Sequence, residues 1–311
     1  MDEPRYAIYF VPPAGSALYR FGASVLGYDC YSGESLPHPH DIALAAPEWD
    51  ALTREPRKYG FHATLKAPFR VVPPFGEADL TAELEGFAAI PRALPEIKPI
   101  VQSLAGFIAV VAAAPSMDLN RLAADAVMAF DRFRRPPSLH EREQRLAAGL
   151  SERQTENLDR WGYPYVFDDF RFHMTLTGRI DAGRRSAIVA LLQTRFNAID
   201  GAHVLRVGQL ALLRQDGRGP FRIVREAALT ALHPGQQGLT ASHNCLWSAV
   251  QNPFVAVPIA RRFIPLSHTA DRPKSRKIGA NSRQSRCPIK PLSMCGGCRS
   301  RSSAAPACWT M

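Results

Sequence analysis

The sequence Phe-His-x-Thr-Leu occurs twice, as Phe61-His62-Ala63-Thr64-Leu65 and as Phe172-His173-Met174-Thr175-Leu176. Histidine titrates near neutrality, so two of them can share proton transfer. One acts as the general base that activates an attacking oxygen, the other as the general acid that protonates a leaving oxygen. A threonine hydroxyl beside each can hydrogen-bond oxygens on which negative charge accumulates. Two such pairs brought together fit the cleavage of a phosphodiester, with no metal or other cofactor expected. An isolated His-x-Thr is more often a surface or satisfied core histidine. Against that reading, of the six histidines before residue 233 only these two have Thr two positions on and Leu three positions on.

For the motifs to cooperate, each must lie on a strand, where side chains alternate between faces. Alternation puts Gly60, His62, Thr64 and Lys66 on one face and Phe61 and Leu65 on the other. It likewise separates Arg171, His173, Thr175 and Thr177 from Phe172, Met174 and Leu176. Each strand is then apolar toward a core and polar toward a groove between two sheets. The catalytic candidates are His62, Thr64, His173 and Thr175. Parity and nearness in sequence add Tyr59, Lys66 and Arg171 as candidate substrate-binding residues, and a small phosphodiester is the expected partner.

The elements that carry these residues can be read from periodicity and turn signals. Residues 5–12 predict a first strand ended by Pro12-Pro13, residues 76–90 a helix, and residues 99–114 one or two β segments in which Gly106 allows a turn or bulge. Helices are predicted after Ser116 and from Ser138, where Ser138 and Glu141 have the spacing of a capping box. The second motif strand, a helix over residues 182–196 and a strand pair over 203–230 complete the pattern. Mixed strands and helices with one motif in each half predict an α+β fold of two pseudo-symmetric lobes, antiparallel sheet with flanking helices around a central groove.

The net charge of +10 over 311 residues invites a nucleic-acid reading, but its distribution is lopsided. Residues 233–311 hold eleven basic side chains and one acid, whereas residues 1–232 hold 27 of each sign. Five of the six cysteines also lie beyond residue 232. The expected organisation is a domain over 1–232 and a basic, Cys/Ser/Arg-rich tail over 233–311. Residues 269–290 lack any period, and the tail over 233–311 is predicted to be disordered. The tail can attract nucleic acid without sequence preference. Cys295 to Cys298 form one C-x-x-C without a second pair, so free thiols are expected there. His38 and His40 lack a matched third metal ligand. No apolar run reaches the roughly 18 residues needed to span a bilayer. The N-terminus has no secretory pattern, which predicts a cytoplasmic protein.

At His62-Ala63-Thr64-Leu65 and His173-Met174-Thr175-Leu176 the chain resembles the two-histidine phosphoesterases, marked by one His-x-(Thr/Ser)-hydrophobic motif in each of two lobes. Residues 5–29, 58–69 and 170–178 look like the branch of that superfamily named for phosphonate metabolism, and the likeness runs from about Arg5 to about Leu232. The resemblance implies a metal-independent cyclic phosphodiesterase with His62, Thr64, His173 and Thr175 as its catalytic quartet. It also implies a ribose cyclic phosphate from carbon–phosphorus lyase chemistry as substrate. An RNA 2′,3′-cyclic or 2′-5′ end is the alternative within enzymes, and a nucleic-acid-binding protein working through the tail is the alternative outside them.

Overall fold

The computed structural model describes residues 3–45, 48–201 and 203–232. The expectations for the tail lie outside the described residues. Aromatic and β-branched residues of Arg5–Phe10 form β1, which is buried almost throughout. It is followed by α1 (Ala17–Leu26), the short pair β2 (Tyr28–Asp29) and β3 (Glu34–Ser35), α2 (His40–Ala45) and α3 (Trp49–Arg57). The first motif enters β4 (Ala63–Arg70), after which come α4 (Glu77–Ala89), β5 (Glu96–Ile97), β6 (Pro99–Leu104) and β7 (Phe107–Ala112). Ala105 and Gly106 both have positive φ, as a tight β6–β7 hairpin turn requires.

Three capped helices lead to the second motif. Ser116 caps α5 (Met117–Asp131), Ser138 and Glu141 form the expected capping box of α6 (Leu139–Leu146), and Ser151 with Gln154 caps α7 (Glu152–Trp161). The chain then passes through β8 (His173–Thr175), α8 (Ala182–Asn197), β9 (Leu205–Arg206), β10 (Gln209–Gln215) and β11 (Arg222–Ala228).

Seven strands make one antiparallel sheet in the order β11-β10-β1-β4-β8-β7-β6, with α5 against β4, α4 against β10 and β11, and α8 against β6. The expected α+β architecture is present, and its two halves are joined edge to edge where β4 pairs with β8. The groove predicted between two sheets is therefore a region on one face of a continuous sheet. Among the described residues no helix is long and apolar enough to cross a membrane.

Candidate active site

The two motifs are immediate neighbours. β4 and β8 run antiparallel with Ala63 paired to Met174, the middle residue of each His-x-Thr. Extending that register by one residue either way sets His62 opposite Thr175 and Thr64 opposite His173. A pseudo-two-fold axis thus passes between Ala63 and Met174, and each histidine faces the other motif's threonine.

The relation extends to the flanking strands. Phe10 and Tyr9 of β1 pair with Ala63 and Thr64, as Val110 and Ala109 of β7 pair with Met174 and Thr175. Ile8-Tyr9-Phe10-Val11 therefore corresponds to Ile108-Ala109-Val110-Val111. Even an irregularity recurs. The register shifts so that Ile8 pairs with Lys66, leaving Leu65 as an extra residue, and the amides of Leu176 and Thr177 both donate to the Ile108 carbonyl at 2.9 and 3.2 Å. Each motif is thus followed by a bulge at its leucine, and a bulge inverts the facing of the residues beyond it.

That inversion corrects the expectation for Lys66. Instead of sharing a face with His62, its ammonium donates to Asp131 Oδ1 at 2.6 Å and to the Val127 carbonyl at 3.2 Å on α5, with the side chain 3% exposed. Asp131 also accepts from Arg134 Nε at 2.8 Å, and the two cations hold its carboxyl below the usual range. Burial lowers the Lys66 ammonium to about 8 despite Asp131. Thr177, at the corresponding place in the second half, is fully buried and bonded to the Ile108 amide and the Gly178 carbonyl.

Both imidazoles are oriented in the same way. His62 Nδ1 lies 2.9 Å from the Gly60 carbonyl and His173 Nδ1 lies 2.7 Å from the Arg171 carbonyl, two residues back in each case. A carbonyl can only accept, so each neutral ring carries its proton on Nδ1 and leaves the Nε2 lone pair for chemistry. Gly60 presents its carbonyl from φ +71, and a Cβ there would lie 2.8 Å from Cys30 Cβ, so glycine is needed on both counts. A close approach also anchors the first motif from behind. Phe61 is fully buried, and a Cβ on Gly22 of α1 would come within 2.1 Å of its ring.

In the first half the Thr64 hydroxyl donates to His62 Nε2 at 3.1 Å, and the Tyr9 ring stacks on the imidazole at 3.7 Å between centroids and 19° between planes. In the second half the Thr175 hydroxyl is buried with no hydrogen-bond partner among the described residues. Burial lowers both histidines. His62 falls to about 3, the Gly60 bond partly offsetting burial and His173 adding to it, and His173 is lowered with the Arg171 carbonyl opposing. Both rings are therefore neutral at pH 7.

Tyr59, half-buried, stacks on Phe221 at 5.4 Å and stands 6.3 Å from the His62 ring, so it borders the site. Arg171 contributes its backbone carbonyl, while its exposed side chain donates to the carbonyls of Asp168 and Phe170. His38 faces Arg57 and the Ser24 carbonyl, and among the described residues no group of three or more His, Cys, Asp or Glu is placed to hold a metal ion. The sequence reading missed Tyr9 and Arg5, which share a face of β1. Arg5 donates to Gln215 Oε1 at 2.8 Å and its charge acts on the Tyr9 phenol. The available signal was the parallel between Ile-Tyr-Phe-Val and Ile-Ala-Val-Val.

Residues 64–222 match the family described as "Protein of unknown function (DUF1045)". The chain belongs to this family. The matched span begins two residues after His62 and contains the second motif whole. Two curated relatives carry the name "Ribose 1,5-bisphosphate phosphokinase PhnN": one from Janthinobacterium sp. (strain Marseille), 36% identical over 70% of this chain and 49% of the relative, and one from Laribacter hongkongensis (strain HLHK9), 33% identical over 71% and 51%. This DUF1045 member spans about half the length of those relatives. Its own sequence contains no Gly-Lys pair, hence no phosphate-binding G-x-x-x-x-G-K-(S/T) loop. Among solved structures, it is similar to one described as "Crystal structure of phosphoesterase" at TM-score 0.35 and 14% identity, covering 74% of this chain and 99% of the other. It is similar also to E. coli LigT complexed with 3′-AMP at TM-score 0.34 and 11% identity, covering 74% and 99%.

Proposed function

We propose that this protein is a cyclic phosphodiesterase in which His62 and His173 exchange general-base and general-acid roles across a phosphodiester held at the pseudo-two-fold axis. The observation that carries the reading is the paired orientation of the histidines, each fixed through Nδ1 by the carbonyl two residues back. A neutral imidazole accepts the proton of the attacking water. The other must be protonated to serve the leaving oxygen. An anionic diester in a buried site supplies the charge that favours imidazolium, so the second proton enters with the substrate. The Thr175 hydroxyl, buried without a partner, is suited to donate to a non-bridging oxygen, and Thr64 can turn from His62 to do the same.

The relatives' names refer to a ribose bisphosphate, which makes a ribose 1,2-cyclic phosphate the first compound to test. Nucleoside 2′,3′-cyclic phosphates and a 2′-5′ dinucleotide test the RNA alternative. Assayed with excess chelator, one of these substrates should turn over, and His62→Ala and His173→Ala should each lower the rate about 100-fold or more. Silence of both substitutions on a substrate that turns over would refute the reading.

A further inference from the structure

The two halves match strand for strand, bulge for bulge and histidine for histidine, and one of their differences lies on the strand beside each threonine. Where the second half has Ala109 opposite Thr175, the first has Tyr9 opposite Thr64. The Tyr9 side chain is fully buried, yet its hydroxyl has no hydrogen-bond partner at bonding distance among the described residues. A buried unsatisfied hydroxyl is destabilising, and Phe would fill the same space without that cost. Its cross-strand neighbour is Thr64, whose hydroxyl is one of the polar groups acting on the phenol, together with those of Tyr59 and Tyr163 and the Arg5 guanidinium. Thr64 is itself only half-buried and spends its proton on His62 Nε2, leaving lone pairs that can accept from a phenol. Burial drives the Tyr9 phenol well above its ordinary range, so it serves as a donor and not as an acid or base.

We propose that Tyr9 is a positioning residue of this site, its hydroxyl orienting the Thr64 hydroxyl and so making the two symmetric halves chemically inequivalent. This rests on the phosphodiesterase reading above. In the resting site the Thr64 proton is held on His62. When substrate engages His62 Nε2, Thr64 must redirect its proton to a phosphoryl oxygen, and a short move brings its oxygen within reach of Tyr9. The Tyr9 proton then fixes which way the Thr64 proton points. The second half has no such donor, because Ala109 ends at Cβ. The stacked Tyr9 ring also holds the His62 imidazole in plane, and Phe would preserve that contact.

The test is a double-mutant cycle of Tyr9→Phe and Thr64→Val on the full chain. Tyr9→Phe should leave Tm unchanged or slightly raised and KM within about twofold, while lowering kcat about tenfold, the rate equivalent of one ordinary hydrogen bond. In the Thr64→Val background the same substitution should have no further effect, and in a Thr175→Val background its effect should persist. An unchanged kcat for Tyr9→Phe, full additivity with Thr64→Val, or a large loss of Tm would each overturn the proposal. His62→Ala and His173→Ala assayed alongside separate this failure from failure of the phosphodiesterase reading, in which they too would be silent.

Discussion

At the scale of single residues, the histidines predict opposite pH behaviour for binding-limited and bound-state catalysis. In the free protein both rings are held below the usual histidine value by burial, His62 to about 3. The half-protonated pair that acid–base cleavage needs becomes more populated as pH falls. kcat/KM should therefore increase as pH is lowered from about 8 toward 5, while kcat, which reports the complex with an anion beside the rings, should peak at higher pH. Coincident optima, or a kcat/KM that climbs with pH over that range, would contradict this. The same shift links to folding. Unfolded His62 takes up a proton near the ordinary histidine value of 6.5 and folded His62 only near 3, so this contribution to stability is complete above 6.5 and is lost as pH falls through that window. Denaturant unfolding of His62→Gln should show a flatter acid limb than the parent. The quartet His62, Thr64, His173 and Thr175 could be singled out because the proposed chemistry would need two copies of the same short pattern. Tyr9 was not, since its relevance depends on β1 lying beside β4, which no local pattern states.

At the scale of elements, alternation along a strand predicted the facing of the first motif up to Thr64 and failed two residues later, at Lys66. The reason is the bulge at Leu65, repeated at Leu176, which arises from pairing with a neighbouring strand and leaves no mark in hydrophobic period. Lys66 is accordingly an internal partner of Asp131 and Arg134. Lys66→Met should keep kcat/KM within about twofold and cost little stability, because Asp131 keeps its ion pair with Arg134 and no buried charge is left unpaired. Asp131→Asn should cost about 3 kcal/mol by stranding a buried ammonium. Loss of turnover in a folded Lys66→Met protein would show instead that this cation reaches the substrate. Helices with polar stripes and serine caps, such as α5 and α6, were readable from sequence. α1 went unread although Ser16 caps it and its less buried residues Ala17, Arg20 and Ser24 recur at helical spacing.

At the scale of the whole molecule, the unit that recurs is larger than the repeated five residues and smaller than a lobe. It is a strand pair, β1 with β4 and β7 with β8, including the bulge. Continuity of the sheet through Ala63 and Met174 holds two proton-transfer groups on one rigid surface, which suits a small, compact substrate. Charge argues in the same direction. The first 232 residues are neutral overall and the excess of +10 lies in residues 233–311, so on the proposed reading attraction of polyanions and cleavage of a small diester would belong to different parts of the chain. Counterion release makes binding of RNA by a basic segment fall steeply between roughly 50 and 200 mM salt. Over that range RNA retention by the full chain should drop by orders of magnitude while hydrolysis of the small diester changes little, and a chain ending at Gly235 should lose the retention and keep the hydrolysis. Parallel salt slopes for the two activities, or loss of hydrolysis on removing the tail, would mean that the basic segment takes part in the site and that the sheet face alone does not define the substrate.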